Sequence, residues 1–195
     1  KMDRTGADFQ NVCAQVKERL GANAVPVVLP IGSEQSFRGL IDLIYNRAII
    51  YDDAKKDQLV NYTFEEIPAE MAAEAEEARA HLIEEVATVD MALMEKFFET
   101  EHLTEDEMRE GIRKGLVTRS IFPVFCVCAG KCMGVRRLME FLGNVVPFVD
   151  EMPKVHNTRG EEIPVTTDGP TSVYFFKTGI EPHIGEVAYF KVMSG

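Results

Sequence analysis

The chain has 195 residues, of which 46% are hydrophobic and 27% are charged, a composition typical of a soluble globular protein. Its formal charge of −11 argues against a general nucleic-acid binder, since neutralising phosphates requires Lys and Arg. No apolar run reaches the ~18 residues that span a bilayer, and four cysteines predict no disulfide framework, so we expect a cytoplasmic protein without a membrane partner.

The first third of the chain predicts one helix followed by short strands. Apolar residues at helical spacing predict a helix over 5–20, and Gly21 is typical of a helix end. Residues 24–30 contain three β-branched valines and two prolines, a combination that favours an edge strand. Residues 37–51 predict two strands joined by a turn at 45–47, and residues 62–64 predict a further short strand.

Three helices are predicted next. The first covers 68–88, and its apolar stripe consists of Ile67, Met71, Ala75, Ala78, Leu82 and Val86. Its opposite, acidic face consists of Glu70, Glu74, Glu77 and Glu84. The second helix covers 91–99, with Leu93, Met94, Phe97 and Phe98 expected to point inward. The third starts at Thr104, whose spacing to Glu107 is that of a capping box, and is expected to end near Gly115.

The last third changes from an α/β pattern to an all-β pattern. Residues 121–127 predict a buried strand that leads through the loop at 128–131 into a helix over 135–145. Residues 147–162 are polar and contain prolines, which predicts a linker. Strands are predicted over 172–177 and 186–193, joined by a loop at 179–185.

Negative charge is concentrated in one stretch of the chain. Residues 65–110 contain sixteen Asp or Glu against three Lys or Arg, a net charge of −13. This stretch is either a solvated helix surface or a docking surface for a basic protein partner, and charge alone leaves both interpretations open.

The first three residues, Lys1-Met2-Asp3, match the end of the Asn-Lys-x-Asp motif with which GTPases recognise guanine. The Asp3 carboxylate would accept hydrogen bonds from guanine N1–H and from its exocyclic amine, a donor pair that adenine lacks. The stem of Lys1 would lie along the purine face. Because the Asn of the motif is absent, we expect this chain to be a piece of a longer protein.

The longer string Lys-Met-Asp-Arg-Thr-Gly-Ala-Asp-Phe resembles the same region of elongation factor G, the translocation GTPase of bacterial ribosomes. Three further stretches are similar to this family: Leu-Pro-Ile-Gly, Phe-Arg-Gly-Leu-Ile-Asp-Leu and Ile-Arg-Lys-Gly. The end of the chain, Ile-Gly-Glu-Val-Ala-Tyr-Phe-Lys-Val-Met-Ser-Gly, resembles the first hairpin of the family's barrel-shaped second domain. The resemblance therefore extends over the whole chain.

The resemblance implies an α/β fold with three parts. These are a partial P-loop GTPase-like G domain, an α+β insertion called G′, and the first strands of a β-barrel, domain II. It places the G domain at 1–24 and 120–148, G′ at 25–119, a linker at 149–163 and the start of domain II at 164–195.

The resemblance also assigns candidate guanine contacts, namely Lys1, Met2, Asp3, Cys128 and Ala129. The family usually has Gly-Ser-Ala where this chain has Val127-Cys128-Ala129. In the resemblance the backbone N–H of Ala129 would bond guanine O6, so a Cys in place of Ser is expected to be tolerated. The departures indicate a divergent copy of the factor.

We expect no catalytic residue and no metal ligand in this chain. The spacing of Cys126, Cys128 and Cys132 lacks the paired fourth ligand of a zinc site. The Gly-x-x-x-x-Gly-Lys-Ser/Thr phosphate loop is also lacking, and the resemblance places the switch regions upstream. This piece alone should therefore hydrolyse no GTP and hold no nucleotide firmly.

For the whole protein, the resemblance implies GTP or GDP with Mg²⁺ as cofactors and GTP-dependent translocation on the ribosome as function. The expected partners are the ribosomal stalk protein, through the acidic helix at 68–88, and small-subunit ribosomal RNA, through domain II. Two alternatives stay open: a tetracycline-type ribosomal protection GTPase, and a non-enzymatic acidic ribosome-binding module.

Overall fold

The computed structural model describes residues 1–52 and 61–195, which form two compact units, Lys1–Pro147 and Phe148–Gly195. Helices are mixed with parallel and antiparallel strand pairs, so the predicted α/β class is confirmed at this level. The described helices of the first unit are α1 (Phe9–Leu20), α2 (Ala72–Ala87), α3 (Met91–Thr100), α4 (Glu105–Thr118) and α5 (Val135–Asn144). Its described strands are β1 (Ala24–Pro26), β2 (Val28–Ile31), β3 (Gly39–Asp42), β4 (Arg47–Tyr51), β5 (Tyr62–Glu65) and β6 (Phe122–Val124).

The ends of α1 are set by local chemistry. The Asp8 side chain accepts a hydrogen bond from the Asn11 N–H at 2.9 Å, which places the helix start later than the predicted residue 5. Gly21 adopts the left-handed conformation (φ 60°) and closes the helix, as predicted. Phe9 and Cys13 point into the core.

The single strand predicted over 24–30 is in fact two strands in two sheets. β1 pairs in parallel with β6, whereas β2 forms one edge of an antiparallel sheet of order β2-β3-β4-β5. Val27 lies between them and bonds to both sheets. Its N–H donates to Val124 O at 3.0 Å, and its carbonyl accepts from Leu43 N at 3.1 Å. The change of sheet at one residue is therefore a tertiary effect that local propensity does not reveal.

The antiparallel sheet otherwise follows the prediction. The turn between β3 and β4 occupies residues 43–46 and not the predicted 45–47, because Arg47 already belongs to β4, and Asn46 supplies its positive φ of 51°. β5 confirms the short strand predicted at 62–64. Side chains from β2, β3 and β4 are almost all buried. The sheet is thus a main part of the hydrophobic core.

The helices after the sheet confirm the predicted pattern with two corrections. Leu82 and Val86 of α2 are fully buried, and the capping box at Thr104 and Glu107 is present. Phe98, however, is 76% exposed, because it lies five residues after the buried Leu93 and so about 140° around α3. Gly115 does not end α4, which continues to Thr118.

The prediction of one buried strand over 121–127 was wrong in extent. Only β6 is strand, and its Phe122 is 41% exposed. Among the described residues β6 pairs with β1 alone, so this small sheet leaves part of the strand accessible. Ile121 and Cys126, which flank β6, are buried.

The second unit contains two antiparallel strand pairs in the described residues. Its strands are β7 (Val155–His156), β8 (Glu162–Ile163), β9 (Ser172–Glu181) and β10 (Gly185–Ser194). β9 and β10 form a hairpin whose connection, residues 182–184, is shorter than the loop predicted at 179–185. The short β7–β8 pair lies within the stretch predicted as a linker.

Candidate functional site

The Lys1–Asp3 segment lies against the strand-to-helix connection that holds Cys128. The Met2 N–H donates to Val127 O at 3.3 Å, and the Met2 side chain is buried in the core. Met2 therefore has a structural role here, since its carbonyl is also bonded, to the Glu34 N–H at 2.8 Å. The Lys1 side chain is exposed and Asp3 is partly exposed, as a residue that receives a base must be.

The Cys128 thiol interacts with the Asp3 carboxylate although 125 positions separate the two residues in the sequence. A hydrogen bond from the Cys128 thiol is the largest cause that lowers the pKa of Asp3, followed by the bond to its own backbone N–H. The Cys128 thiol is buried, and desolvation together with the neighbouring carboxylate raises the pKa of Cys128. The thiol therefore stays protonated as a donor, and Asp3 stays ionised as an acceptor.

The loop after Cys128 is closed by its own backbone. Cys128 and Met133 exchange two hydrogen bonds, at 3.0 and 3.1 Å, and the Lys131 N–H donates to Cys128 O at 3.2 Å. Cys132 takes the left-handed conformation (φ 59°) that lets the chain return. Ala129 is exposed at the start of the 3-10 turn Ala129–Lys131, a position where N–H groups lack partners within the turn.

This arrangement places a carboxylate acceptor and an exposed backbone donor on neighbouring segments. A guanine edge carries N1–H and an exocyclic amine beside the acceptor O6, so it complements such a pair. Of the residues predicted for the site, Asp3 and Cys128 touch each other, and Lys1 and Ala129 are exposed close to these two in sequence.

Sequence reasoning missed two residues that hold this site. Glu34, between β2 and β3, donates its N–H to Met2 O at 2.8 Å and accepts the Gly6 N–H on its carboxylate at 2.6 Å. The Tyr51 hydroxyl accepts the buried Gly134 N–H at 2.8 Å. No local pattern marks either residue, because both act across long sequence separations.

A buried ion pair connects β3 to α5, the helix that follows the Cys128 loop. Arg137 of α5 donates through Nε and Nη2 to the carboxylate of Asp42 on β3, and both side chains are almost fully buried. Asp42 also accepts the Ile44 N–H at 3.0 Å. The pair therefore ties the antiparallel sheet to the helix that follows the Cys128 loop.

The cysteines of the chain are unpaired. Cys126 is buried, and desolvation raises its pKa to about 12, so it remains a thiol. Within residues 1–52 and 61–195, no group of three or more His, Cys, Asp or Glu side chains is placed to hold a metal ion. In the same ranges, no helix has the length and apolarity needed to cross a membrane.

The acidic face predicted for the helix at 68–88 is exposed. The side chains of Glu70, Glu74, Glu77 and Glu84 all face solvent. Two of these residues, Glu74 and Glu77, line a groove of about 420 Å³ between α1 and α2, whose lining also includes Ala14 and Ala78. The surface thus combines carboxylates with accessible apolar side chains.

No known family model matches the chain. Among solved structures, the chain is similar to the crystal structure of ttk003000868 from Thermus thermophilus, with a TM-score of 0.70 and 24% sequence identity. The match covers 100% of this chain and 26% of that one, so this chain spans about a quarter of its length. At this identity the similarity establishes a shared fold and nothing about activity.

Proposed function

We propose that this chain recognises guanine as part of a GTP-dependent ribosomal translocation factor similar to elongation factor G. The observation that supports this most is that the two segments assigned to guanine recognition lie together: the Met2 N–H donates to Val127 O at 3.3 Å, and the Cys128 thiol lowers the pKa of Asp3. Asp3 reads N1–H and the exocyclic amine, Ala129 donates its N–H to O6, and Lys1 covers the purine face. The Cys128 thiol lowers the pKa of Asp3 and so extends the ionised, accepting form to lower pH.

GTP or GDP with Mg²⁺ is the cofactor of the proposed protein. The described residues fit the base of such a nucleotide, because Asp3 supplies an anionic acceptor and Ala129 an exposed donor. Phosphate binding and hydrolysis are assigned to the remainder of the proposed protein, since this sequence contains no Gly-x-x-x-x-Gly-Lys-Ser/Thr loop. The isolated 195-residue chain should accordingly show no GTP turnover above a buffer control.

Base selectivity tests the proposal in the full-length natural protein. Unlabelled GDP should displace a fluorescent guanine nucleotide, and ADP should not. The variant Asp3→Asn should lose affinity for GDP at least tenfold and gain affinity for XDP, because an amide can donate to xanthine O2 where the carboxylate can only accept. Equal displacement by ADP and GDP would refute guanine recognition.

The acidic face of α2 is the proposed contact for the ribosomal stalk protein. Its exposed carboxylates and the groove that Glu74 and Glu77 line suit a partner that carries both basic and apolar side chains. Charge reversal at Glu74 and Glu77 should weaken stalk binding at low salt. The control reverses Glu18 and Glu186, which are also exposed and change the net charge equally. Unchanged affinity in the first variant would remove this assignment.

Two further proposals differ in what the whole protein does on the ribosome. A translocation factor supports ribosome-dependent peptide synthesis, whereas a tetracycline-type protection GTPase restores synthesis only when the antibiotic is present. A non-enzymatic acidic module binds the stalk without nucleotide dependence. A peptide-synthesis assay with the full-length protein, with and without tetracycline, separates the three. Domain II, the proposed contact for small-subunit ribosomal RNA, is expected to matter in the first two cases.

A further inference from the structure

Residues of the β2-β3-β4 segment contact both halves of the candidate guanine site. Glu34 follows β2 and bonds to the Lys1–Gly6 segment, and Tyr51 at the end of β4 bonds to Gly134, where the Cys128 loop ends. The inference drawn from these contacts rests on the proposed recognition of guanine by Asp3.

Glu34 is bonded on both sides of Asp3. Its backbone N–H holds the carbonyl of Met2, the residue before Asp3, and its carboxylate holds the N–H of Gly6, three residues after it. The backbone segment from Met2 to Gly6, which contains Asp3, is thus held near both of its ends by Glu34. Movement of the Asp3 backbone away from this position would require breaking at least one of these bonds, so they fix where the Asp3 side chain begins.

The backbone of Glu34 is in an unfavourable conformation for its residue type. Its φ is 54°, in the left-handed region where a Cβ crowds the backbone and where Gly and Asn are the usual residues. Such strain persists where surrounding contacts determine the conformation, and it is concentrated at ligand sites. The hydrogen bonds of Glu34 to Met2 and Gly6 are contacts of this kind.

The other half of the site is anchored from the same sheet. The Gly134 N–H is buried and donates to Tyr51 Oη at 2.8 Å. Gly134 has a φ of 79°, and a Cβ there would lie 3.0 Å from Cys126 O, so the loop returns tightly at this point. Cys128 at the start of the loop then meets Asp3.

We propose that Glu34 is a positioning residue for guanine recognition, which holds Asp3 at the distance and orientation that its hydrogen bonds to the base require. It touches no nucleotide itself. Its effect is on discrimination between bases, because the second hydrogen bond to the exocyclic amine depends on the angle of the Asp3 carboxylate.

The test uses Glu34→Gly in the full-length natural protein. Glycine fits the positive φ, so this variant removes the carboxylate without adding backbone strain. Affinities for GDP and IDP are compared, since hypoxanthine lacks the exocyclic amine. The preference for GDP over IDP should fall about tenfold in Glu34→Gly and stay within twofold in Glu34→Gln, which retains an acceptor oxygen. Unchanged preference in Glu34→Gly overturns the proposal.

A matched control and a nucleotide-free measurement complete the test. Glu101 has a φ of 52° at the end of α3, so Glu101→Gly makes the same chemical and backbone change elsewhere and should leave the GDP preference intact. The carboxyl ¹³C resonance of Asp3 reports its pKa without ligand. Glu34→Gly should raise that pKa towards its ordinary value by loosening the Cys128 contact.

The two measurements separate failure of the inference from failure of the proposed function. If the parent protein shows no guanine preference, the proposed function fails, and the Asp3 titration alone decides whether Glu34 positions Asp3. An Asp3 pKa that is the same with and without the Glu34 carboxylate overturns the inference.

Discussion

Asp42 and Arg137 form a buried ion pair between β3 and α5, across 95 positions of the sequence. A charge removed from water is costly unless its partner and further hydrogen bonds compensate it. Here the Asp42 carboxylate also accepts the N–H groups of Ile44 at 3.0 Å and Tyr45 at 3.3 Å. The pair therefore fixes the orientation of α5 relative to the sheet at a satisfied polar site within the core.

Removal of one partner should destabilise the protein strongly. Arg137→Met leaves the Asp42 carboxylate buried without its cation, and the free energy of unfolding should fall by about 3–5 kcal/mol. Urea unfolding followed by circular dichroism measures this change. The double variant Asp42→Asn/Arg137→Met keeps an oxygen that accepts the Ile44 and Tyr45 N–H groups and removes the unpaired charge, so it should recover much of the loss, and additive losses in the double variant would contradict the ion-pair account.

Close packing among α2, α3 and α4 depends on Gly111. A Cβ at this position would lie 2.4 Å from Val86 Cγ1 and 2.9 Å from Leu93 Cδ1. Gly111→Ala should therefore lower the unfolding free energy by about 1–3 kcal/mol, as overpacking does. Gly143 in α5 is the control, since a Cβ there meets nothing within 4 Å. Gly143→Ala should be neutral or stabilise by up to about 1 kcal/mol, through helix propensity alone.

Local patterns predicted most elements, and tertiary contacts explain the errors. Caps at Gly21 and at Thr104 with Glu107 were predictable because each depends on a few adjacent residues. The division of residues 24–30 between two sheets was not predictable, because it depends on Val27 bonding to residues 16 and 97 positions away, Leu43 and Val124. Phe98 was predicted to point inward with its neighbours, but its angle around α3 relative to Leu93 turns it towards solvent.

In the candidate site, too, the residues of short motifs could be predicted from the sequence, whereas a residue that acts through long-range contacts could not. Asp3 and Cys128 could be named because each belongs to a short motif, and the structure brings these two together. Glu34 could not be named, because its role depends on a left-handed backbone and on hydrogen bonds to Met2 and Gly6. The residue types can be read from the sequence, but the hydrogen-bond distances from Glu34 to Met2 and Gly6 that indicate its role cannot.

Replacement of Cys128 should alter the titration of Asp3. In Cys128→Ala the pKa of Asp3 should rise towards its ordinary value, because the largest cause that lowers it is removed. If Asp3 binds guanine, GDP affinity should then begin to fall at a higher pH, since protonated Asp3 no longer accepts two bonds. Cys128→Ser retains a hydroxyl donor and should keep both properties. If GDP affinity fell at the same low pH in Cys128→Ala as in the unmutated protein, the role of the thiol would be refuted.

Glu107 predicts a specific loss of stability in acid. Hydrogen bonds from Lys96 and from the backbone and side chain of Thr104 lower the pKa of Glu107 from 4.5 to about 2. A carboxyl whose pKa is lower in the folded state stabilises that state above its unfolded pKa. This contribution should therefore be complete above pH 4.5 and disappear as the pH falls towards about 2.

The variant Glu107→Gln isolates this contribution. It keeps the amide oxygen as a cap for Thr104 N–H but removes the charge, so it should unfold more easily at neutral pH, by about 1 kcal/mol or less for so accessible a group. Its stability should also vary less with pH between 4.5 and 2 than that of the parent. Thr104→Ala, which removes the reciprocal half of the capping box, should lower stability by about 1 kcal/mol at neutral pH. Parallel stability curves for the parent and Glu107→Gln over this pH range would disprove the linkage.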